Sequence, residues 1–277
     1  MRTVTLAAVM AVLLAVPASA YWVKLEDFEG LDNIDHWGGA WYADSGETTT
    51  SGVVADPDNP GNNVLFIDDP SDTAAADANH NRYLDLGDED IADGATGTLF
   101  GRMRTKGILF DADGHFGVTD VAAPAAWGDF SAYMSTQGGV QGWRVHDGGY
   151  KPTDQVPDNQ TWVNFWVVVD NPNNVYHVYY TTTYGEDAEL LSDNMTHDDT
   201  DDTFTFRHGA GANAMQTLLV RAGAKNEVGW YLDDLYIDSS SRNLSNPVGA
   251  IPEPGTLMLL GTAALGLIGY VRRERRN

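Results

Sequence analysis

The chain has 277 residues, 16 Lys+Arg against 40 Asp+Glu, a formal net charge of -24 and no cysteine. So negative a field repels phosphate backbones and excludes nucleic-acid binding. The missing thiols exclude disulfides, cysteine nucleophiles, Cys-ligated zinc and iron–sulfur clusters, so stability has to come from an apolar core.

The first twenty residues hold one basic residue, Arg2, then an apolar run over 6–16 and the segment Pro17-Ala18-Ser19-Ala20. A hydrocarbon crossing needs roughly twenty apolar residues, so this run reads as the centre of a cleaved signal peptide over 1–20. Small Ala18 and Ala20 occupy the two positions that signal peptidase inspects, and the mature chain is expected to begin at Tyr21. Between Tyr21 and Ala250 stand 11 Lys+Arg and 38 Asp+Glu. That balance suits a protein kept soluble outside the cell, or one that attracts calcium.

From residue 21 to 238 apolar and aromatic residues recur in short alternating runs broken by Gly, Asn, Asp and Pro, with no long 3.6-residue period. This is an all-β pattern, and strands are predicted over 23–29, 97–105, 129–135, 141–146, 162–170, 175–182, 203–207, 216–222 and 229–238. Their spacing suits a two-sheet antiparallel sandwich in one domain. The best hairpin joins 162–170 to 175–180 through Asn171-Pro172-Asn173-Asn174, a run of turn formers. Residues 56–63 form a second turn cluster before Val64-Leu65-Phe66-Ile67. Residues 239–250, rich in Ser, Asn, Pro and Gly, read as a linker.

The chain closes in three parts: Ile251-Pro252-Glu253-Pro254, an apolar stretch over 255–271, and Arg272-Arg273-Glu274-Arg275-Arg276-Asn277. Seventeen helical residues reach roughly 25 Å, enough for a short bilayer crossing with the arginines left on the cytoplasmic side.

Few residue patterns here carry chemistry. Asp111-Ala112-Asp113-Gly114 begins like a calcium loop, but its twelfth position is Ala122 where a glutamate is required. The seven histidines lack a metal-binding spacing, and no carboxylate pair suggests glycoside hydrolysis, so an enzyme is not expected. Trp37, Trp41 and Tyr42 in one loop and Trp127 in another are candidates to face a glycan, with core packing as the alternative.

Two resemblances follow. Pro252-Glu253-Pro254, the apolar stretch and the cluster Arg272, Arg273, Arg275 and Arg276 resemble the PEP-CTERM tail of exported bacterial proteins, covering residues 251–277. That resemblance implies a single transmembrane helix and a membrane transpeptidase, exosortase, that releases the protein to the surface or exopolysaccharide matrix of a Gram-negative-type bacterium. The segments 26–30, 161–171 and 230–238 resemble a concanavalin A-like or laminin-G-like jelly roll. This fold hosts lectins, structural modules, hydrolases and lyases, so it implies a sandwich and leaves the activity open. It also implies that Asp27 and Glu29 from the first strand meet Asp233 and Asp234 from the last around a structural calcium; a buried Asp bonded to backbone amides and Arg is the alternative. The expected protein is a surface-sorted, non-catalytic sandwich that holds polysaccharide, with a polysaccharide hydrolase or lyase as the runner-up.

Overall fold

A computed structural model describes residues 21–29, 41–43, 52–67, 80–107, 112–137, 140–153, 160–183, 188–191, 202–208, 213–223 and 228–249. The expected signal peptide with Ala18 and Ala20, residue Trp37, and the whole tail from 251 lie outside the described residues.

The strands form two antiparallel sheets. Sheet I runs in the order β13 (Glu189–Leu190), β12 (Val175–Thr181), β11 (Val163–Asp170), β6 (Thr96–Thr105), β16 (Trp230–Asp238), β4 (Asn63–Ile67) and β3 (Gly52–Ala55). Two short strands join it, β1 (Val23–Glu26) against β16 and β14 (Phe204–Thr205) against β12. Sheet II runs β10 (Tyr150–Pro152), β9 (Val140–His146), β8 (Ala132–Gln137), β7 (Gly114–Thr119), β15 (Thr217–Ala222), β5 (His80–Asp85) and β2 (Trp41–Ala43). The expected all-β, two-sheet antiparallel sandwich of the jelly-roll type is what the chain forms.

Period-two alternation decides what faces the other sheet. In β11 the core takes Val163, Phe165, Val167 and Val169; in β9 it takes Trp143 and Val145; in β15 it takes Leu218 and Val220. The Trp143 and Phe165 rings meet edge to face across the sandwich with centroids 4.7 Å apart. Each such large side chain, when fully buried, contributes about 1.5–3 kcal/mol. The expected hairpin is present, with Asp170 opposite Val175 and Asn164 opposite Thr181. Its turn is a short 3-10 helix, Asn171–Asn173, closed by Asn174 in the left-handed region at φ 55°.

Several expected bounds shift. The strand expected over 129–135 starts at Ala132, because Trp127–Asp129 forms a 3-10 turn in which Asp129 Oδ2 accepts the backbone N–H of Ala125 and Ala126, each at 2.8 Å. β7 was not expected: its sequence GHFGVT has too few β-formers to signal a strand alone, and pairing on both sides with β8 and β15 makes it one. The first part of the expected linker is tied to the sandwich. Asp238 accepts bonds from Ser240, Ser241 and Asn243, and Asn243 N donates to Thr98 Oγ1 on β6 at 2.9 Å. Residues 245–249, with a 3-10 turn at Pro247–Gly249, belong to a second compact unit that starts at Ser245.

Gly117 on β7 lies hard against β8. A Cβ there would overlap the Ala132 carbonyl oxygen and the Tyr133 backbone. Gly117→Ala is expected to destabilise the domain by about 1–3 kcal/mol through overpacking. Urea unfolding followed by intrinsic fluorescence measures this; an unchanged midpoint would mean that the two strands spread at no cost.

Candidate functional site

Because Phe116 and Val118 of β7 enter the core, His115 and Gly117 face outward from sheet II. Register extends that row across the sheet. Arg144 on β9 pairs with Ser135 on β8, Ser135 with His115, and His115 with Arg221 on β15. The adjoining row holds Tyr150, paired with His146, and Tyr133, paired with Gly117. The outer face of sheet II thus gathers two arginines, two histidines and two tyrosines that are scattered in sequence.

Two loop residues complete it. The turn described above presents Trp127, which stacks on Tyr150 with centroids 5.3 Å apart and an interplanar angle of 28°. Arg207 follows Phe206, a core residue, and its backbone N–H donates to Ser131 O at 3.0 Å. Its guanidinium lies directly over the Trp127 ring, while that of Arg144 lies 4.6 Å from the centroid of Tyr150. Both are cation–π contacts. Phe130, Tyr133 and Leu219 form a small apolar floor.

His115 is 1% exposed, and its Nε2 stands 3.2 Å from Tyr150 Oη. Burial holds its imidazole well below the usual histidine range, and the charges of Arg221 and Arg207 push it the same way. Burial also raises the Tyr150 phenol and lowers Arg144 and Arg221, while Asp113 pulls both arginines back up. Asp113 itself is 8% exposed, with Oδ1 3.8 Å from His115 Nδ1. Arg207 Nη1 and Arg221 Nε are buried and meet no acceptor among the described residues. Chemically this is a neutral imidazole and two phenols ringed by cationic donors.

Of the aromatics singled out in the sequence, Trp127 stands in this cluster, although both Tyr150 and Arg207 press on its ring. Trp41 and Tyr42 fall in β2 at the far edge of the same sheet, with Tyr42 opposite Tyr83. Sequence reading passed over Arg144, Arg207, Arg221, His115, Tyr133 and Tyr150. The signal for one of them was present: in Trp143-Arg144-Val145-His146, Arg144 shares with His146 the phase opposite to the apolar pair.

The four acidic residues expected around calcium have other partners on sheet I. Lys24 Nζ pairs with Asp27 at 2.5 Å, and Glu29 Oε1 accepts the backbone N–H of Asn63 at 2.9 Å. Strict alternation along β16 would send Asp233 and Asp234 to opposite faces. Instead a register shift in β16, with Asp234 at φ 52°, sends Leu232 and Leu235 to the core and turns both carboxylates toward Arg102. Arg102 Nη1 lies 2.8 Å from Asp234 and 3.6 Å from Asp233. Asn62 Nδ2 donates to Asp233 Oδ2 at 3.0 Å and to Asp56 Oδ2 at 3.4 Å. Among the described residues no group of three or more His, Asp or Glu side chains is gathered as a metal site.

Residues 250–276 match the model of the PEP-CTERM protein-sorting motif. The tail is a PEP-CTERM sorting motif. It brings together Pro252, Glu253 and Pro254 with Arg272, Arg273, Arg275 and Arg276. It marks an exported precursor sorted through its C-terminus, and leaves the sandwich itself unassigned. Among curated proteins no sequence relative was found. Solved structures similar to the chain include a sialidase, at 8% identity over 79% of this chain with a TM-score of 0.49; the chain spans 18% of that protein. The carbohydrate recognition domain of Emp47p matches at 11% identity, covering 81% of this chain and 97% of that one with a TM-score of 0.45. The catalytic domain of a glycoside hydrolase family 131 protein from Coprinopsis cinerea matches at 11% identity, covering 81% and 97% with a TM-score of 0.46.

Asp233 is 1% exposed, and its Oδ1 is buried with no hydrogen bond from the described residues. Burial first, then the charge of Asp234, push its carboxyl up to about 7. In the unfolded chain it titrates near the ordinary value of about 3.9. Between these values the folded state holds the extra proton, so stability is greatest at the acid end and falls as pH rises toward 7. Asp233→Asn should remove this slope and raise stability at pH 8 by on the order of 1–2 kcal/mol. Urea midpoints at pH 5 and pH 8 test it; a parallel loss in the wild type and the variant would place the titration on another group.

Proposed function

We propose that this chain is an exported, surface-sorted, non-catalytic β-sandwich of the cell envelope or exopolysaccharide matrix, which holds polysaccharide on the outer face of sheet II. Residues 1–20 direct export and are removed by signal peptidase. The PEP-CTERM tail hands the protein to an exosortase-type membrane transpeptidase. The observation that carries the binding reading is the pair of buried donors on Arg207 and Arg221 that no acceptor among the described residues meets. Buried donors are almost always satisfied, and ligand hydroxyl or carboxyl oxygens satisfy such groups. Tyr150 and Trp127, half-buried beside them, have their faces taken by each other and by Arg144 and Arg207, and offer a sugar their ring edges.

The second reading, a polysaccharide-active enzyme, draws on the His115–Tyr150 pair, where a neutral imidazole stands within hydrogen-bond reach of a phenol. The two differ in products. Native gels loaded with glycan should retard the wild type, Tyr150→Ala should lose most of that retardation, and the glycan should stay intact. Release of reducing ends or of unsaturated sugars would establish the enzyme instead.

Sorting has its own test. Mass spectrometry of protein recovered from its host should find a C-terminus near residue 250 in the wild type, and a retained tail when Pro252, Glu253 and Pro254 are replaced by alanine. An intact arginine-rich tail in both would make the protein a simple membrane-anchored domain.

A further inference from the structure

Resting on the reading of sheet II as a glycan-holding face, we propose that the glycan is acidic, a uronate-type polysaccharide whose carboxylates are received by Arg144, Arg207 and Arg221. Charge placement is the first reason. Between Tyr21 and Ala250 the chain has 11 Lys+Arg to set against 38 Asp+Glu. Two of those scarce cations, Arg144 and Arg221, stand on the outer face of sheet II, a third, Arg207, reaches it from a loop, and Asp113, beside His115, is the carboxylate whose charge acts on Arg144 and Arg221. A neutral sugar needs hydroxyl partners, which Ser, Asn and Gln provide without the cost of burying guanidinium groups.

Geometry is the second reason. An arginine laid flat on an aromatic ring keeps its N–H donors in the plane of the guanidinium, where a carboxylate accepts two of them at once. Arg207 is held over Trp127 and Arg144 over Tyr150, so less side-chain freedom remains to be lost on binding. Arg207 Nη1 and, deeper, Arg221 Nε have no acceptor among the described residues. With His115 neutral and its phenol neighbour protonated, neither adds a negative charge that would compete for those donors. The strongly acidic remainder of the chain repels a polyanion elsewhere and leaves this face as the place of contact.

Calorimetry on the purified full chain tests this with three polymers: polygalacturonate, its fully methyl-esterified form, and dextran sulfate. Polygalacturonate should bind, and esterification should weaken it by about tenfold or more, as loss of charge-assisted bonds does. Arg207→Gln should cost a similar factor, Arg207→Lys should restore only part of it because the planar fork is lost, and Lys24→Gln on sheet I should change nothing. If Arg207→Gln melts early, the half-buried Arg144→Gln replaces it. Equal binding of the acid and the ester would overturn carboxylate recognition and leave the glycan-holding reading intact. Binding of dextran sulfate alone would overturn it in favour of sulfate esters. Binding of none of these, nor of a panel of neutral glucans, would overturn the underlying reading as well.

Discussion

Apolar burial between two sheets is the constraint on which everything else in this protein depends. With no cysteine to cross-link the strands, the contacts among Trp143, Phe165, Val167, Leu218, Leu232 and their neighbours fix which phase of every strand points inward. Alternation then leaves no choice for the other phase. His115 faces outward because Phe116 and Val118 must not, and Arg221 faces outward because Leu218 and Val220 occupy the core side. The candidate site is in this sense a by-product of core packing: register places its strand residues, and two loops bring in Trp127 and Arg207.

The two sheets handle buried charge in different ways. On sheet I, Arg102 is answered by Asp233 and Asp234, with Asn62 completing the set, so the charges are largely matched inside the chain. The bulge at Asp234 makes that match possible, since a regular strand would have turned one of the two carboxylates into the core. On sheet II the arginines are answered mainly by aromatic faces and by Asp113. Aromatic rings orient a guanidinium without consuming its in-plane donors. A matched set stabilises the fold, whereas on sheet II in-plane donors remain that the proposed acidic glycan would engage.

The neutral state of His115 has the same origin. Burial disfavours the imidazolium, and the nearby guanidinium groups of Arg221 and Arg207 add repulsion. A histidine that shares a face with fixed cations contributes shape and a hydrogen bond to Tyr150, and leaves the charge to groups that keep it at any physiological pH.

Much was legible from the sequence alone. The alternation of 162–170 and the Asn-Pro-Asn-Asn turn specified the central hairpin, because local chemistry there agrees with the tertiary outcome. Pro252-Glu253-Pro254, the apolar stretch and the terminal arginines identified the sorting tail, since such a signal is read as linear sequence. The acid pair was seen, but its orientation was not: a one-residue bulge reverses the facing of side chains, and nothing in Leu232-Asp233-Asp234-Leu235 announces a left-handed residue. The arginine–aromatic cluster was decided only by the tertiary structure. Arg144, Arg207 and Arg221 lie on separate segments, and Trp127 on a fourth. Their meeting depends on strand order and register, which no local window of sequence contains.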